Sequence, residues 1–160
     1  MPINPTGSNA TVSVLLNTQS FHKGLNITGE IWLDLDGFAF PAEHWTDFPV
    51  VILSWWMDAL IPLRLAQSVP AECLFMDGPY SFELSRRDAN YFLHCYHDPH
   101  GEKDCLWQGS LDLNNLLLQL ESAASNIVAE CCRHGWVTAE TTLLESKRAA
   151  LTRLLESHSA

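Results

Sequence analysis

The densest run of groups able to do chemistry is His94-Cys95-Tyr96-His97-Asp98-Pro99-His100, followed after four intervening residues by Cys105. Imidazoles, thiols and a carboxylate in such numbers raise the question of zinc, which takes four N, S or O ligands in a tetrahedron. The spacing argues against it. His94 and Cys95 are neighbours in a strand-like run and so face opposite sides, while Cys95 and His97 share a side with no CxxC knuckle to accompany them. The run reads as a polar hairpin, with no structural metal and no cofactor expected. Cys131-Cys132-Arg133-His134 is the second candidate. A nucleophilic thiol needs an adjacent base and a lowered pKa, but Cys131 falls on an apolar helical stripe, where packing is its role. The chain contains no Gly-rich phosphate loop, GxSxG elbow or HExxH pair, so no catalytic residue is expected.

Carboxylates form the third group: Glu30, Asp34, Asp36, Glu43 and Asp47. Such a set can serve acid–base catalysis or hold a divalent cation. Here the spacing matches no metal loop, Asp36-Gly37 suits a tight turn, and Asp47 suits a helix cap. Recognition is the remaining use. Glu30 and Asp34 flank Trp32 on one face of an alternating strand, and an exposed tryptophan ringed by carboxylates makes a hot spot for a basic partner. Glu30, Trp32, Asp34, Asp36, Glu43 and Trp45 are therefore the expected partner-binding residues. The alternative is that a loop or helix buries Trp32. Trp55 and Trp56 are adjacent in an apolar run and read as core.

The distribution of charge supports the same reading. The chain carries 9 basic and 19 acidic residues, a net charge of −10, and residues 1–60 hold six acids against the single base Lys23. Such a surface repels nucleic acid and accelerates encounter with a basic protein. At 160 residues, 47% apolar and 18% charged, the chain is expected to fold as one domain. Without a membrane-length apolar run or an apolar signal core at the start, a cytoplasmic protein with no membrane partner is expected. Five cysteines at irregular spacing read as reduced thiols.

The elements that must position these groups follow from periodicity. Residues 1–10, rich in Pro, Asn, Gly and Ser, read as a flexible tail, and 11–160 as a single α+β domain. Val12 and Val14 share a face of a first strand, and 17–26 reads as a turn or short connection. Ile27 to Leu35 alternates as a second strand. An aromatic-rich loop closed by Pro41 leads to a helix over Val50–Ile61, capped by Thr46 or Asp47 and stopped before Pro62. Glu72–Asp77, Tyr80–Ser85, Tyr91–His97 and Cys105–Gln108 read as strands of a mainly antiparallel sheet. At Ser110 the period changes from 2 to 3.6. Leu113, Leu116, Leu117, Leu120, Ala124, Ile127, Val128 and Cys131 then mark a long amphipathic helix ended by Gly135. A last helix begins at Thr138, and the two C-terminal helices are expected to pack on a sheet face.

The stretch from Asp36 to Trp56, Asp-Gly-Phe-Ala-Phe-Pro-Ala-Glu-His-Trp-Thr-Asp-Phe-Pro-Val-Val-Ile-Leu-Ser-Trp-Trp, resembles small bacterial proteins, many of them immunity partners of polymorphic or contact-dependent toxins. That resemblance implies a cytoplasmic antitoxin that binds one toxin domain and blocks its active site or an exosite. Acidity fits a basic toxin such as a nuclease. Two other classes stay open: a small enzyme or ligand-binding domain with a pocket between sheet and helices, and a homodimeric subunit that buries Trp32 and Trp45.

Overall fold

The structure is a computed structural model that describes residues 9–65 and 70–157. Most of the expected tail, residues 1–8, lies outside the described residues. Ala10 is already buried and donates its N–H to the Ser110 carbonyl at 2.8 Å, so the chain has joined the fold by that point.

The architecture is α+β, as the pattern of elements predicts. The first antiparallel sheet has four strands: β1 (Val12–Lys23), β2 (Ile27–Leu35), β3 (Phe38–Phe40) and β4 (Thr46–Asp47). β1 pairs along β2, and β3 and β4 share the other edge of β2. The strand expected to end near residue 16 runs on to Lys23, with a register irregularity between Asn17 and His22. Polar composition concealed this continuation. The extra residues swing the Phe21 ring onto Gly29, where a β-carbon would overlap it, so glycine in a strand marks a close approach. Asp36 (φ 52°) and Gly37 (φ 91°) make the left-handed turn that Asp-Gly requires. The expected aromatic loop is in part strand, because Phe38–Phe40 and Thr46–Asp47 both find backbone partners on β2.

Helix α1 (Pro49–Arg64) follows, and it departs from expectation at both ends. Phe48 occupies the cap position with no side-chain cap, because Asp47 is engaged elsewhere. At the other end the helix runs through Pro62 instead of stopping at Ile61. Proline removes one N–H, but in the last turn that loss is small, and Leu65 closes the helix on the Pro62 carbonyl at 3.1 Å.

α1 divides the strands. Where one sheet was expected, β5 (Ala71–Leu74), β6 (Tyr80–Arg87), β7 (Asn90–His97) and β8 (Asp104–Leu111) form a second antiparallel sheet in that order. Cys73, Phe82, Leu84, Leu93, Cys95 and Trp107 fill its inner face. Helices α2 (Leu113–His134) and α3 (Ala139–Ser157) complete the chain. The Asp112 carboxylate accepts the Asn114 N–H at 2.9 Å and caps α2, and Gly135 (φ 70°) ends it. Thr138 caps α3 by accepting the Thr141 N–H at 3.1 Å. The predicted α2 stripe is buried from Leu113 to Cys131 except for the half-buried Val128, and Leu144 and Leu151 of α3 are fully buried, so both sheets and all three helices share one core. Among the described residues no helix is long and apolar enough to cross a membrane.

Candidate protein-binding surface

β2 presents Glu30, Trp32 and Asp34 on the face opposite the core, as alternation predicts, and pairing sets Ser13, Leu15 and Asn17 of β1 beside them. What the sequence could not show is the loop that closes over this face. His44, in a left-handed conformation (φ 60°), lays its ring 5.0 Å from the Trp32 ring, and Trp32 is only 8% exposed. The expectation of an exposed tryptophan is thus corrected: Trp32 is the floor of the surface, covered by the loop between β3 and β4. Leu15, directly opposite Trp32 across the strand pair, is the exposed apolar group here.

The carboxylates surround that floor. Glu30 accepts a hydrogen bond from Asn17 Nδ2 at 2.6 Å, and its other oxygen lies 3.6 Å from His44 Nδ1. Glu43 approaches His44 Nε2 at 3.6 Å. Asp34 accepts the Gly37 N–H at 3.3 Å, and Asp36 accepts the Thr11 N–H at 2.9 Å. Among the described residues no Lys or Arg forms an ion pair with Glu30, Asp34, Asp36 or Glu43. By contrast Asp58 pairs with Lys147, Glu72 with Lys103, Glu130 with Arg133, and Glu121 and Glu145 with Arg148. Among the described residues the first sheet therefore keeps a patch of negative charge without a Lys or Arg counter-charge.

Trp45 sits differently from the other five expected partner-binding residues. It is half-buried, its ring packs edge-on against Tyr80 at 5.2 Å, and its indole N–H donates to Asp47 Oδ2 at 2.9 Å. Asp47 is 1% exposed and accepts three more N–H groups: Phe48 (2.7 Å), Met76 (3.2 Å) and Asp77 (3.1 Å). One buried carboxylate thus ties β4, the start of α1 and the turn after β5 together, and fixes the underside of the acidic surface. Gly78 permits the contact, since a β-carbon there would lie 2.9 Å from the Trp45 ring. Sequence reasoning missed both His44 and this role of Asp47; Gly78, placed to admit an aromatic ring, was the available signal.

The groups read for catalysis are dispersed. In the β7–β8 hairpin Cys95 points into the core while His94 lies on the open face, and among the described residues no three of His, Cys, Asp or Glu come together as a metal cluster. All five cysteines are free. Burial holds the Cys73 and Cys95 thiols well above their ordinary pKa, with smaller contributions from Glu72 and Cys105 respectively. Burial likewise raises Cys131, followed by Cys132 and Glu130, which is the opposite of nucleophile activation. A groove of about 410 Å³ runs between the start of β1 and the first turns of α2, and Asp112 is the one ionisable group in its lining. That carboxylate is occupied as the α2 cap.

Comparison with protein-family models, with curated proteins and with solved structures found no match to this chain.

Proposed function

We propose that this chain is a binding protein whose working surface is the acidic outer face of the first sheet, and that its partner is a basic protein domain. The observation that carries the reading is the contrast in ion pairing. Among the described residues Asp58, Glu121, Glu130 and Glu145 on the helices pair with Lys or Arg, whereas Glu30, Asp34, Asp36 and Glu43 meet no Lys or Arg and only His44 stands beside Glu30 and Glu43. Four carboxylates held on a rigid strand pair and its loops attract and orient Lys- and Arg-rich surfaces. Leu15 adds an apolar contact at the centre, and Trp32 and Trp45 support the surface from beneath. The resemblance of Asp36–Trp56 to immunity proteins gives the biological form: a cytoplasmic antitoxin that occludes a basic bacterial toxin domain, such as a nuclease, and catalyses nothing. The raised thiols and the occupied Asp112 weigh against the enzyme alternative.

Binding kinetics against a basic toxin domain, sought first beside this chain's gene and measured at two salt concentrations, test the reading. Neutralising Glu30, Asp34 and Glu43 together to Gln, Asn and Gln is expected to slow association about tenfold or more and to flatten its salt dependence, since exposed charges act mainly on encounter. Tight binding indifferent to salt and to the triple change would remove the acidic surface from the mechanism. Failure to bind or to protect against the toxin would remove the immunity reading.

A further inference from the structure

The second sheet also has an outer face, and its character differs from the first. Along its inner strand β7, Phe92, His94 and Tyr96 alternate with the buried Leu93 and Cys95, so three half-buried rings stand in a row on the outer side. The His94 and Tyr96 rings are parallel within 7° at 6.0 Å, and His94 Nδ1 has no hydrogen-bond partner. Register sets Glu83 beside His94 and Ser81 beside Tyr96 on β6, with Glu72 and the 44%-exposed Leu74 beyond them on β5. Two cations lie over the rings: Arg87 is 5.6 Å from the centre of Phe92, and Lys103 is 5.2 Å from the centre of Tyr96 and 3.6 Å from Glu72.

We propose that this face is the contact between two copies of the chain. A molecule with a net charge of −10 repels its own copies wherever carboxylates stand unpaired. On this face Glu72 and Glu83 are balanced by Arg87 and Lys103, so two copies meet here without like-charge repulsion, and aromatic rings supply the apolar contact. A basic protein is drawn instead to the first sheet, and a nucleic acid needs an excess of positive charge that this face lacks. The area sets the strength. Three strands of eight residues and one of four, about 4.8 Å apart and about 3.3 Å per residue, cover roughly 440 Å² per copy. The total of roughly 900 Å² falls just under the range of stable specific interfaces, so the dimer is weak and reversible. This differs from a dimer that buries Trp32 and Trp45, since both rings are already packed within their own chain.

Sedimentation velocity of the full chain from about 2 to about 200 µM tests the proposal, a span that brackets a micromolar equilibrium. The wild-type chain is expected to shift from monomer towards dimer, whereas Tyr96→Lys stays monomeric at the top concentration with an unchanged melting temperature. A dilution series followed by NMR serves as a second measurement that needs no variant: the ring resonances of His94 and Tyr96 move with concentration, and that of Trp32 does not. A chain that is monomeric throughout, a dimer unaffected by Tyr96→Lys, or shifts confined to Trp32 would each overturn the proposal. The triple change at Glu30, Asp34 and Glu43 leaves the dimer intact, so failure here is separable from failure of the acidic-surface reading.

Discussion

At the scale of single residues, Asp47 shows how a side chain can be read for the wrong task. Its position before Pro49 is that of a helix cap, yet its two oxygens take four N–H donors from three segments and none from the helix interior. Burying a carboxylate without a cation is tolerated when hydrogen bonds satisfy it, and it becomes costly when they are removed. Asp47→Asn keeps the volume but turns one acceptor into a donor facing other donors. The expected loss is about 2–4 kcal/mol of unfolding free energy, measured by urea titration. A loss of a few tenths of a kcal/mol would mean that the Asp47 contacts do not hold β4 to the turn after β5. His44 gives the complementary lesson: its left-handed backbone and two flanking carboxylates make sense only once the loop is seen lying on Trp32.

At the scale of elements, a helix side chain bonds to one outer strand of each sheet. Gln119 of α2 accepts the Val14 N–H of β1 at 3.1 Å, and Trp56 of α1 donates its indole N–H to the Leu74 carbonyl of β5 at 2.8 Å. Strand edges blunted in this way resist unwanted pairing, and each bond also fixes a helix against a sheet. The helix stripe that makes this possible was legible from spacing alone, because burial every three or four residues leaves a 3.6-residue period in the sequence. Leu120 lies at its centre with no exposure. Leu120→Asp places an unpaired charge in the core and is expected to cost several kcal/mol, enough to lower the thermal midpoint by ten degrees or more by about the usual scaling. A midpoint within a degree or two of the wild type would show the stripe to be misassigned.

At the scale of the whole molecule, two electrostatic effects oppose each other as pH falls. The net charge of −10 repels itself, and protonation relieves this. Against that, hydrogen bonding from Arg148 holds the Glu145 carboxyl below its ordinary value, and Arg133, then His134, does the same for Glu130. A carboxyl lowered in the folded state contributes stability that is present above its unfolded pKa and lost as pH falls through the folded value. For these groups that loss begins near the ordinary value of 4.5 and continues below it. Thermal midpoints are therefore expected to hold steady or rise from neutral pH to about 5 and then fall. Glu145→Gln should shallow the acid limb, and an unchanged limb would show that the Glu145–Arg148 pair within α3 contributes nothing to it.

What the sequence determined by itself is what depends on local periodicity and backbone chemistry: the strand alternation of Ile27–Leu35, the Asp36-Gly37 turn, the α2 stripe and the Gly135 stop. Each of these is set by neighbours within a few residues, so the pattern survives in one dimension. It also placed Glu30, Asp34 and Glu43 together in an acid-rich stretch. Tertiary structure decided the rest. The division into two sheets depends on where α1 inserts, the burial of Trp32 on a loop that returns from β3, and the role of Asp47 on donors 29 and 30 residues away. The outer face of the second sheet likewise exists only because Arg87 and Lys103 are brought over rings on β7 by strand pairing and a loop. Contacts between distant segments leave no period in the sequence, because their spacing is set by the path of the chain and not by the repeat of the backbone.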